Sequence, residues 1–159
     1  MPAYAYAANN PMAFFDADGL RIRSTVNVTY DRSTPVALPQ TRFTDYAGKS
    51  EGCKKSGGKW KFDASIKSNI DVFTGGKDDA PSMNDGNACN IATHEDKHVE
   101  DFVDGMSDES LNTEFPSEGF KSQAACEAAE RSLKMNIRPY IDHLTRGTQS
   151  RRDTVEWAR

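Results

Sequence analysis

The residues of this chain best suited to chemistry are His94-Glu95-Asp96-Lys97-His98. Two histidines four positions apart on a helix project from one face, about one turn apart, so both imidazoles can reach one metal ion. Glu95 follows the first histidine and is placed to take a proton from metal-bound water. Zinc is the ion that this spacing predicts, and a hydrolytic zinc needs a third protein ligand and an open position for water.

The third ligand must come from elsewhere. Asp104 lies six positions after His98, but position 101 is Asp101 and not the glycine that would turn the chain. A later helical stretch is better placed. On its wheel Cys126, Ala129, Leu133 and Ile137 form an apolar face, with Glu130 inside it and Glu127 at its edge beside Arg131, Lys134 and Arg138. A carboxylate on an apolar face needs a cation or a metal to offset its desolvation. Glu130 is therefore the expected third ligand and Glu127 the reserve, with Asp104 and His143 next. Asp101 shares a side of the helix with both histidines and can accept a hydrogen bond from a ligand imidazole, fixing its tautomer. Tyr140 or His143 could stabilise the oxyanion of an attacked carbonyl.

These residues need elements to position them. Leu20, Ile22, Val26, Val28 and Tyr30 alternate with polar residues, which predicts a strand with one wet face. A short strand is expected at 41–46. A second alternation, Trp60, Phe62, Ala64, Ile66, Ile70 and Val72, is long for one strand and predicts a bulge or break near Ser68-Asn69. Residues 75–87 read as a loop. Helical spacing then covers 87–104 and stops at Gly105. Residues 107–119 read as an irregular connection and 122–137 as a helix that Pro139 must break or kink. One or two further turns end near Gly147, and the tail after Thr148 frays. Strands first and helices second indicate an α+β fold. The expectation is a single domain over 1–159, with 1–18 and 148–159 frayed. It has an N-terminal twisted, mainly antiparallel sheet, the motif helix, and a second ligand-bearing helix.

The motif His94-Glu95-x-x-His98, followed about 30 residues later by a helical glutamate, resembles the gluzincin branch of zinc metallopeptidases. In that family a twisted sheet precedes the motif helix, and its edge strand pairs with extended peptide substrate. The wider string Cys89 to Phe102, with Cys126-Glu127-Ala128-Ala129-Glu130 later, is similar to metallopeptidase-like toxin domains of secreted bacterial effectors. One departure is plain: the aspartate usual four positions after the gluzincin glutamate is replaced by Lys134 after Glu130 and by Arg131 after Glu127. The resemblance implies peptide-bond hydrolysis with Glu95 as base, on protein or on the peptide stems of a bacterial wall. It also implies a cognate inhibitor or immunity protein if the domain is a toxin. The rival readings are a metal-containing binding module without turnover, and an interaction protein with an accidental motif.

Composition bounds these readings. The 159 residues suit one domain, and a net charge of −4 argues against nucleic acid. No apolar stretch is long enough to span a bilayer. The N-terminus shows no secretory signal pattern, so the expectation is export by a signal-less system, or else a cytoplasmic location. Cys53, Cys89 and Cys126 form no Cys-x-x-Cys pair, and two of the three could form a disulfide outside the reducing cytosol.

Overall fold

The computed structural model describes residues 21–82 and 90–153. The architecture is α+β, with a mainly antiparallel sheet followed by helices. Strand β1 (Ile22–Asp31) is followed by β2 (Gln40–Ser56) and β3 (Lys59–Phe73). Then come helix α1 (Ile91–Gly105), helix α2 (Asp108–Glu114), strand β4 (Glu118–Phe120) and helix α3 (Gln123–Asp153).

The sheet order is β1-β3-β2, with β4 also pairing with β3. Strands β2 and β3 form a long antiparallel hairpin turned by Gly57-Gly58, both glycines having positive φ. Strand β3 inserts between its two predecessors, so β1 runs parallel to it, Ile22 facing Ala64 and Asp31 facing Phe73. Strand β3 has no break at Ser68-Asn69. Phe62, Ala64, Ile66, Ser68, Ile70 and Val72 all point inward in one unbroken alternation. A bulge does lie opposite Asn69 and Ile70, but its extra residue is on the partner, between Phe43 and Asp45 of β2, with a second shift between Ser50 and Cys53. Those bulges shift the side-chain register. They explain why only 41–46 of a 17-residue strand reads as extended in the sequence.

The 107–119 stretch is more ordered than its composition suggests. Ser107 caps α2, its side chain accepting from the Ser110 backbone N–H. Asn112 of α2 accepts from the backbone N–H groups of Arg21 and Ile22, at 2.9 and 3.0 Å, and donates to the Ile22 carbonyl at 2.9 Å. Asp108 accepts from the Ser24 N–H at 2.7 Å. Side chains of α2 thus satisfy the outer edge of β1 where a further strand would otherwise pair.

Helix α3 runs through Pro139 without ending, contrary to the expected break. Leu133, Ile137 and Ile141 are buried in one core cluster with Phe62, Ile66 and Met106. That packing spans the proline on both sides and outweighs the one backbone hydrogen bond it removes. The expected fraying after Thr148 is also corrected for 148–153, which are helical, with Thr148 fully buried. Residues 1–18 and 154–159 lie outside the described residues. A disulfide joins Cys53 on β2 to Cys126 in the first turn of α3, with Cα atoms 6.1 Å apart. Cys89 lies outside the described residues.

Candidate metal centre

Helix α1 begins where the loop after β3 supplies acceptors for its first turn. Asn90 is the N-cap, accepting from the Thr93 N–H at 2.8 Å. The Ala80 and Asp78 carbonyls accept from the N–H groups of Ile91 and Ala92, at 2.8 and 3.0 Å. These contacts satisfy N–H groups that have no partner within the helix. Further along, Phe102 packs edge-on against Phe43 of β2, with ring centroids 4.5 Å apart. The Tyr30 hydroxyl donates to Asp96 at 3.1 Å, holding the outer side of α1 to β1.

This fixes which way the motif faces. His94, Glu95 and His98 are 3%, 4% and 4% exposed. Their donor atoms all lie within 4.8 Å of one another, and the two imidazole centroids are 4.9 Å apart. They open onto a cleft of about 320 Å³ whose described walls include Leu38 and Pro39 just before β2, Thr41 of β2, Pro81 and Ser82, and Gln149 of α3. Thr41 donates to a Glu95 carboxylate oxygen at 2.7 Å. The buried carboxylate is therefore held at the cleft floor by a charge-assisted hydrogen bond.

The last turns of α3 add further contacts to this group. His98 Nδ1 lies 3.0 Å from the Thr148 hydroxyl, which donates to Asp101 at 2.6 Å. Arg152 grips the same carboxylate through two hydrogen bonds of 2.9 and 3.0 Å, and Arg151 lies 3.2 Å from it. Burial alone would raise the Asp101 carboxyl. Hydrogen bonds from Arg152 and Thr148, with the charges of both arginines, outweigh it and hold the group at about 2, below its usual 3.8.

Two imidazoles and a carboxylate within reach of one point form a donor set suited to a divalent transition metal. With His98 Nδ1 beside the Thr148 hydroxyl, Nε2 is the nitrogen that would face a metal ion. The residues present thus fit a metal ion.

The structure does not bring the other expected ligands to this group. Glu130 hydrogen-bonds to Ser50 on β2. It stands eighteen positions before Thr148 on the same helix, about 27 Å along the axis. Its apolar-face position is satisfied by a serine hydroxyl, and it does not join His94, Glu95 and His98. Glu127, a turn further away, accepts from Gln123 at 3.2 Å. Asp104 borders a separate depression with Ser107 and Thr113. His143 is exposed on α3. Tyr140 donates to the Gly105 carbonyl at 2.6 Å and packs against Phe115, so it braces the far end of α1. Asp101 approaches His98 through Thr148 rather than directly.

Sequence reasoning missed Thr41, Thr148 and Arg152. Each acts across 47 or more positions of chain, on Glu95, on His98 and on Asp101. Thr148 and Arg152 share a helical face at i, i+4 spacing, but the sequence carries no mark of their partner. No protein-family model, curated protein or solved structure matches the chain.

Proposed function

We propose that this chain is a zinc-dependent peptide-bond hydrolase. The observation that carries the reading is the convergence of His94, Glu95 and His98 on the floor of one cleft. His94 and His98 would hold the ion; among the described residues no further histidine, cysteine or carboxylate joins them and Glu95. When bound, zinc supplies Lewis acidity that polarises a carbonyl and acidifies water. Glu95 accepts a proton from the attacking water as the new C–O bond forms. It then returns the proton to the amine nitrogen as the C–N bond breaks. Thr41 orients the carboxylate for both transfers. Leu38, Pro39 and Pro81 line one side of the cleft with apolar surface that would receive substrate.

The disulfide supports a site of action outside the reducing cytosol. Among the described residues no helix is long and apolar enough to cross a membrane. A secreted effector acting on protein or on wall peptides, with a cognate inhibitor, is the biological form of this proposal.

A second reading rests on one observation. Glu95 is itself within ligand distance of both imidazoles. If it coordinates the ion, the centre is a metal-containing binding module without turnover. Substitution Glu95→Gln separates the two. Under hydrolysis the variant keeps stoichiometric zinc and loses about 100-fold or more in peptide turnover. If zinc is lost together with any activity, Glu95 is a ligand and the hydrolase assignment falls.

A further inference from the structure

We infer that Thr148, anchored through Asp101 by Arg152, is a positioning residue that fixes the tautomer of His98 so that Nε2 faces the metal position. The inference rests on the metal reading above and adds a role for the last turns of α3.

The direction of each hydrogen bond follows from what its members can do. Asp101 is held by two hydrogen bonds from Arg152 and lies beside Arg151, so its ionised carboxylate only accepts. The Thr148 hydroxyl has one proton and gives it to Asp101 at 2.6 Å. Towards His98, 3.0 Å away, that oxygen can then only accept. His98 Nδ1 must therefore carry a hydrogen. The neutral ring keeps its lone pair on Nε2, the nitrogen a metal needs. The contact between Thr148 and His98 is shielded from competing water, since the two residues are 0% and 4% exposed.

The chain also couples two helices. His98 and Asp101 stand three apart on α1, and Thr148 and Arg152 four apart on α3. Thr148 contacts both α1 residues, so the ring orientation depends on where the end of α3 docks. Outer-shell partners of this kind change metal affinity by roughly 10–100-fold.

The experiment combines nitrogen NMR of the imidazoles in the metal-free protein with zinc titration against a chromophoric chelator. Wild type is compared with Thr148→Val, Thr148→Ser and Asp101→Asn. Wild type is expected to show His98 as the Nδ1–H tautomer. Thr148→Val removes the acceptor, so the Nε2–H tautomer should gain population and zinc affinity fall about 10–100-fold. Thr148→Ser should restore both. Asp101→Asn turns an acceptor into a potential donor, so it should also weaken the Nδ1–H preference. An unchanged tautomer in folded Thr148→Val and Asp101→Asn proteins overturns the inference. A wild-type protein with the expected tautomer but no zinc binding overturns the metal reading instead, so the two failures are distinguishable.

Discussion

The two ends of helix α3 do different work. Its first turns are tied to β2 by the Cys53–Cys126 disulfide and by the Ser50–Glu130 hydrogen bond. Its last turns approach α1 and deliver Thr148 and Arg152 to the neighbourhood of His98. Both ends carry polar groups on a packed face, yet only the far end lies beside chemistry-bearing residues. A carboxylate on a packed helix face therefore marks a polar partner without saying which. At Glu130 that partner is a serine. At Glu95 it is a threonine beside two imidazoles.

The sharpest way to break this comparison is metal binding. His94→Ala and His98→Ala should each lower zinc affinity by more than about 100-fold, beyond the span of outer-shell effects. Glu130→Ala should leave it within about twofold, because its hydrogen-bond partner is Ser50. Equilibrium dialysis with metal analysis checks both arms. Zinc loss in Glu130→Ala with retention in His98→Ala would reverse the roles assigned to the two ends.

The next effect concerns the near end alone. The disulfide closes a sequence separation of 73. Chain entropy assigns such a loop about 4 kcal/mol of stabilisation. The double variant Cys53→Ser, Cys126→Ser should unfold at correspondingly lower denaturant while retaining zinc affinity when folded. Equal loss of metal affinity and stability would mean that the near end also shapes the site.

The smallest effect sharpens the far end. The Asp101 carboxyl is lowered from 3.8 to about 2 in the folded protein. A group lowered on folding contributes stability that is present above its unfolded value and disappears as pH falls through the folded one. The stability gap between wild type and Asp101→Asn should hold steady above about pH 5 and narrow towards pH 2. Denaturant unfolding across that range checks it, and a gap that widens on acidification would contradict the arginine clamp.

What the sequence determined by itself is local. Fixed spacing on one helix brings His94, Glu95 and His98 together, because a helix places i and i+4 on one face whatever surrounds it. The alternations of β1 and β3 are equally local, since a strand turns its side chains every second residue. The sequence also singled out Asp101 as an acceptor for a ligand imidazole, whereas the contact runs through Thr148. Tertiary structure decided the rest. Strand β3 entered between β1 and β2, β2 kept pairing through two bulges, and α3 continued past Pro139. Each of these depends on packing between distant segments, which can override local signals such as a proline or a broken alternation. The partners of the motif follow the same rule. Thr41 lies 54 positions from Glu95 and Thr148 lies 50 from His98. A hydroxyl acquires such a role only where the fold brings it within hydrogen-bond distance, and no periodicity in the chain encodes that approach.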